Sequence, residues 1–103
     1  GGALDGARLL KKARLDEVTR DQLTGLKSPL KDYGFGLGFA VRLKDEGAAP
    51  GRAGEFNWAG FGGTAFWVDP KEGLVAILMM QAPNQRNHYR LLYRKHVYGS
   101  LAN

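Results

Sequence analysis

"FNWAGFGGTAFWVDPKEGLVAILMMQ", residues 56–81, decides how this chain folds. Its pivot is Asp69-Pro70-Lys71-Glu72-Gly73, set between two strand-like runs, 64–69 and 74–81. Proline presets a turn φ and Gly73 can take a positive one, so the runs are predicted to fold back as a hairpin. Residues 55–59 read as a further short strand. "LVAILMMQ" has no polar face, which predicts a central strand covered on both sides. Trp58, Ala59 and Gly60 stand just ahead of the Gly62-Gly63 pair. Residues that small beside a strand predict the close approach of a backbone or a ligand.

Upstream, "YGFGLGFAVRL" (33–43) alternates Tyr33, Phe35, Leu37, Phe39, Val41 and Leu43 with Gly34, Gly36, Gly38, Ala40 and Arg42. Period two predicts one strand with a bulky face and a nearly bare one, against which something packs closely. "KDEGAAPGRAGE" (44–55) is a polar Gly/Pro-rich connection. Residues 11–24 predict a helix on the stripe Ala13, Leu15, Val18 and Leu23, poorly capped at its start and closed by Gly25. Residues 84–98 predict a second helix on Tyr89, Leu92, Tyr93, His96 and Val97, closed by Gly99. The expected fold is α+β: an antiparallel sheet of about four strands with N- and C-terminal helices.

At 103 residues, 44% hydrophobic and 24% charged, the composition is that of one ordered domain rather than a disordered chain. With no cysteine, disulfides, thiolate metal sites and cysteine nucleophiles are all excluded. The net charge of +5 is spread along the chain among acidic residues, which reads as a solvated basic surface and not a nucleic-acid footprint. No run is apolar for long enough to span a membrane. The start, "GGALDG", has neither a charged leader nor an apolar segment, and reads as a chain begun elsewhere. Cytoplasm and periplasm both stay open.

The candidate chemistry is sparse. "GFGLGF" carries Phe39 where a dinucleotide fingerprint needs its last glycine, and no phosphate-loop motif is present. His88 and His96 stand eight apart, too far for an i, i+4 metal pair, and His96 is expected to be partly buried on the helix stripe. No metal or cofactor is expected. Ser28-Pro29-Leu30-Lys31 satisfies S-x-x-K formally, but that chemistry needs a serine opening a buried helix, so the match reads as accidental.

From "GGALDGARLL" through "YGFGLGFAVR" to "NWAGFGGTAFWVDPKEGLVAILMMQ", the chain resembles the C-terminal part of the serine β-lactamase and penicillin-binding-protein-like hydrolases. The likeness is greatest to class C β-lactamases and family VIII carboxylesterases, and it covers nearly all of residues 1–103 as one partial, transpeptidase-like domain. In that family the strand lining the active site carries Lys-Thr-Gly or a replacement such as Trp-Gly-Gly, and Trp58-Ala59-Gly60 sits there. The resemblance implies that Trp58, Ala59 and Gly60 line substrate and that the Phe61 N–H helps form the oxyanion hole. Trp58 in place of lysine removes a cation for a β-lactam carboxylate and favours a neutral ester, while Ala59 departs from the family pattern.

The nucleophilic S-x-x-K and the Tyr-x-Asn motif belong upstream of Gly1 in the family. The resemblance therefore implies a parent hydrolase acting on small esters or β-lactams, of which this chain alone is inactive. It also implies a partner for the apolar edge of Leu74–Gln81: the N-terminal part of the fold, or a second copy of the chain. The alternative is a non-catalytic, self-associating or ligand-binding α+β domain that keeps only the architecture.

Overall fold

The structure, a computed structural model, describes residues 1–102. Two short strands, β1 (Ala3–Leu4) and β2 (Ala7–Arg8), open the chain as a hairpin of their own. The first helix, α1 (Lys12–Thr19), follows. The main sheet then runs β3 (Tyr33–Phe35), β4 (Ala40–Arg42), β5 (Phe56–Ala59), β6 (Gly63–Asp69) and β7 (Leu74–Gln81). Each strand pairs antiparallel with the next, in the order β3-β4-β5-β6-β7. A 3-10 turn (Pro83–Gln85) leads into the long helix α2 (Arg86–Leu101). The α+β architecture with an antiparallel sheet and a helix towards each end is the one expected.

The β6–β7 hairpin forms where the sequence places it. Gly73 takes φ 64°, and the buried Asp69 carboxylate accepts the N–H groups of Lys71 at 3.1 Å and Glu72 at 3.2 Å. The turn is thus closed from inside by its own aspartate, as Asx turns are.

The sheet has five strands rather than four because residues 33–43 are not one strand. The chain reverses between Phe35 and Ala40: Gly36 N–H donates to Phe39 O, and Gly38 takes φ 105°. Glycine permits that reversal, which period two cannot signal. The close approach expected at the small residues does occur. A Cβ at Gly36 would lie 2.2 Å from Val18 O, and one at Gly34 would meet the Asp21 carboxylate.

Those contacts also explain why α1 stops at Thr19 and not at Thr24. Arg20 turns extended, Gln22 N–H donates to Phe35 O, and Asp21 Oδ1 accepts from Leu23 N–H and Phe35 N–H. Pairing beside β3 gives these backbone groups better partners than another helical turn. Gly25 lies in the following turn, at φ 89°. The Asp5-Gly6 turn joining β1 and β2 went unread, although both residues take positive φ and this dipeptide suits a type I′ turn.

β7 is an edge strand here, paired on one side only, which corrects the central placement. Its faces differ. Ala76 is buried, whereas Val75, Ile77 and Met79 are exposed on the opposite side. Register aligns Ala76 with Trp67 and Trp67 with Asn57, and this is the face α2 covers.

The helix is held down by polar and aromatic contacts. Arg94 makes two bonds to the fully buried Glu55 carboxylate, at 2.6 and 2.8 Å, and its guanidinium lies 4.3 Å from the Trp67 ring centroid. Trp67 stacks on Tyr98, whose hydroxyl donates to Asp69 Oδ2 at 2.8 Å. The ridge touching the sheet is therefore Arg90, Arg94 and Tyr98, spaced by four, joined by one member of the apolar stripe, Tyr93, whose ring meets Trp67 at 5.6 Å and whose hydroxyl donates to Ile77 O at 3.1 Å. Tyr89, Leu92 and His96 are exposed, so His96 is not the partly buried histidine expected. The helix also passes through Gly99 and ends at Leu101.

Arg42 corrects the solvated reading of the basic residues in the same way. It is 4% exposed, and its guanidinium collects the carbonyls of Lys44, Asp45, Ala49 and Pro50, winding the 44–55 connection around itself.

Candidate functional site

β5 is only half paired on its β4 side. Register joins Ala40 to Asn57 and Val41 to Phe56, and there β4 ends. Trp58 and Ala59 remain paired to β6 through Phe66 and Ala65 but have no strand on the other side. Two clefts meet at this segment. One, about 450 Å³, lies beneath the missing continuation of β4, bounded by Leu30, Lys31, Tyr33 and Asn57. The other, about 440 Å³, lies on the face away from α2, between Gly60, Thr64, Phe66, Ile77 and Met79. Trp58 and Ala59 line both. Trp58 is 47% exposed, and its ring meets Phe35 edge to face at 5.5 Å.

Gly60 to Gly63 form the tight turn between β5 and β6. Gly63 N–H donates to Gly60 O at 3.2 Å, and Gly60 N–H to Thr64 O at 2.8 Å. A Cβ at Gly60 would sit 2.4 Å from Thr64 Oγ1, so the position is kept small by the turn's own packing. The Phe61 N–H makes no hydrogen bond among the described residues, and its ring is exposed with Arg86 stacked 4.9 Å above it. Trp58 and Ala59 thus stand at the junction of the clefts, Gly60 lines the second alone, and Phe61 follows it in the turn.

α2 reaches this turn through Arg90, which donates to two of its carbonyls, Gly63 at 3.2 Å and Gly60, and to that of Thr64 just beyond at 3.0 Å. Burial, and then the neighbouring Arg86 charge, lower the Arg90 pKa, but a guanidinium stays protonated all the same. Sequence reasoning missed Arg90 and Arg94, since arginines on a terminal helix read as solvent-facing. The available signal was their spacing of four from Arg86 to Tyr98, opposite a strand holding Trp67 and Asp69. For Arg94, burial works against the charge, yet the Glu55 bonds prevail and raise its pKa.

Other candidates lie elsewhere. Ser28 Oγ accepts the Leu30 N–H at a bend, with no helix to carry Lys31 over it. His88 contacts the Tyr89 ring edge to face, 5.1 Å away. Among the described residues, no group of three or more His, Cys, Asp or Glu could hold a metal, and no helix is long and apolar enough to cross a membrane.

An antiparallel sheet backed by a C-terminal helix, with a glycine turn beside a half-unpaired strand, defines an α+β domain. The family model described as Beta-lactamase matches residues 2–98, and the chain belongs to that family. Membership supports a serine-hydrolase-like parent. No curated protein matches the chain.

Proposed function

We propose that this chain is the C-terminal portion of a serine hydrolase that cleaves carboxylic esters, or β-lactams, through an acyl-enzyme. In this reading Trp58, Ala59 and Gly60 form the wall along which substrate lies. The Phe61 N–H donates to the oxyanion, and the nucleophile comes from outside these residues. The observation that carries it is the unpartnered Phe61 N–H, one residue beyond Gly60, beside a strand segment left unpaired on its outer side. An acyl-transfer site needs such a preorganised donor at the developing negative charge. An exposed strand segment can pair with a substrate's extended amide or ester chain. The indole at position 58 presents apolar surface where the Lys-Thr-Gly members of the family have a lysine, which suits a neutral ester.

The chain alone is expected to leave a short-chain p-nitrophenyl ester unhydrolysed, while the complete enzyme cleaves it. In the complete enzyme, Phe61→Pro, which deletes the donor, should lower kcat by about 10²–10³-fold, as loss of an oxyanion donor does. Trp58→Lys should raise β-lactam turnover relative to ester turnover. Hydrolysis by the isolated chain, or unaltered kcat in Phe61→Pro, would remove the reading; equal losses on both substrates would make Trp58 structural.

A further inference from the structure

We infer that Arg90 is a positioning residue: from α2 it fixes the orientation of the Gly60–Phe61 peptide, and so the direction in which the Phe61 N–H points. The inference rests on the oxyanion reading of that N–H.

The argument begins with the peptide unit. No described peptide bond is cis, and in a trans peptide the carbonyl of one residue and the N–H of the next point in opposite directions. Gly60 O accepts from Arg90 Nη2, on the side where α2 packs. The N–H of the same unit belongs to Phe61, and it is thereby turned away from α2. Away from α2 lies the cleft between Gly60, Thr64, Phe66, Ile77 and Met79. Holding the carbonyl on one side therefore aims the donor to the other.

The turn has little stiffness of its own. Gly60, Gly62 and Gly63 are three of its four residues, and glycine offers little resistance to a change of φ and ψ. Its internal restraint on this carbonyl is one bond, the 3.2 Å contact from Gly63 N–H. Arg90 adds a planar fork spread over Gly60, Gly63 and Thr64, so the three carbonyls are fixed relative to one another as well as to the helix. A lysine ammonium is a point charge on a flexible stem and cannot reproduce that fork. Arg86 stacks on the Phe61 ring from the preceding helical turn, which steadies the same residue from its side chain.

The helix end that carries Arg90 is itself anchored. One turn on, Arg94 is held by Glu55, and Tyr98 beyond it by Asp69. The clamp thus passes the rigidity of the buried polar network to a glycine turn that lacks it. A donor aimed before substrate arrives avoids reorganisation during the reaction, and this is where positioning affects rate rather than binding.

The test measures the Phe61 N–H vector in the 103-residue chain by residual dipolar couplings. The protein with Arg90 intact is compared with Arg90→Met, which keeps the stem and removes the fork, and with Arg90→Lys, which keeps the charge. The expected result is a changed Phe61 coupling in both variants, smaller in the lysine one, with the couplings of β6 and α2 preserved. In the complete enzyme the same variants should lower kcat while KM holds, and added guanidinium ion should restore part of the loss in Arg90→Met. An unmoved Phe61 vector overturns the inference, and so does a loss confined to KM. If Arg90→Met does not fold, the lysine variant decides by the same criterion. The oxyanion reading fails separately: a reoriented vector together with unaltered kcat in Phe61→Pro leaves the clamp standing and removes its catalytic purpose.

Discussion

Two glycines show how differently one residue type is constrained in this chain. At Gly36 a Cβ would meet Val18 O at 2.2 Å, and a helix-end carbonyl that also accepts the Leu37 N–H has nowhere to retreat. At Gly99, inside α2, a Cβ would meet nothing within 4 Å. Gly36→Ala should therefore destabilise by roughly 1–3 kcal/mol through overpacking. Gly99→Ala should stabilise by about 1 kcal/mol through helix propensity. Thermal unfolding reads both, with Tm falling in the first and rising by about 4–8 °C in the second. An unchanged or raised Tm in Gly36→Ala would mean that Gly36 has room the packing denies. Single residues also show where sequence reading succeeds. Gly73 was legible because a turn needs it, whereas Gly60 was read as small for an approaching backbone or ligand and is kept small by Thr64 of its own turn. Arg42, Arg90 and Arg94 were not legible, because nothing local tells a guanidinium that collects carbonyls from one that meets water.

At the scale of elements, α2 illustrates the same limit. Of its periodic residues Tyr89, Leu92, Tyr93, His96 and Val97, Tyr93 meets the sheet at Trp67 and Ile77, but Tyr89, Leu92 and His96 are exposed, and the sheet receives Arg90, Arg94 and Tyr98 as well. Periodicity finds the helix but cannot choose its buried face when the receiving face holds Glu55 and Asp69, both fully buried. The hairpin at 69–73 was legible because its turn chemistry is local. The break of 33–43 into β3 and β4 was not, since alternation continues through the reversal. Arg94→Met, which leaves the Glu55 carboxylate buried and unpaired, should cost about 3–5 kcal/mol. Urea unfolding should show Glu55→Leu added to Arg94→Met recovering part of that loss; a double variant no better than the single one would deny that the unpaired charge is the cause. Tyr98 gives a pH signature. Burial, then its bond to Asp69, raise its pKa well above the ordinary 10.0. The folded state keeps the phenolic proton where the unfolded state releases it, so this contribution is complete below pH 10 and is lost as pH rises towards the folded value. Base-induced unfolding monitored by circular dichroism should thus steepen above pH 10, and Tyr98→Phe, less stable at neutral pH, should show a shallower alkaline limb.

For the whole molecule, the decisive feature is the outer edge of β7. Eight residues, Leu74–Gln81, pair with β6 on one side and have no strand on the other, where Tyr93 of α2 caps the Ile77 carbonyl at 3.1 Å. Above that edge, Tyr89, Leu92 and His96 of α2 overhang the sheet and leave an apolar groove of about 420 Å³ over Leu78 and Met80. On the opposite face Val75, Ile77 and Met79 are exposed. A strand laid along β7 would therefore gain backbone bonds, a helix cover and apolar neighbours together, and such an edge is a template for pairing. We propose that its occupant, for this chain by itself, is the β7 of a second copy. Leu74–Gln81 contains no charged residue, so antiparallel self-pairing brings no like charges together even though the chain carries +5 overall. Antiparallel pairing of one strand with its own copy is two-fold symmetric, which closes the assembly as a dimer instead of a fibre. Light scattering at micromolar concentration should report twice the chain mass. Ile77→Lys, placing a charge on each β7 near the pairing line, should return the monomer with the circular dichroism of the folded chain. A monomer at every concentration, unfolding cooperatively, would show that β7 needs no strand beside it and that the overhang of α2 covers the edge well enough alone.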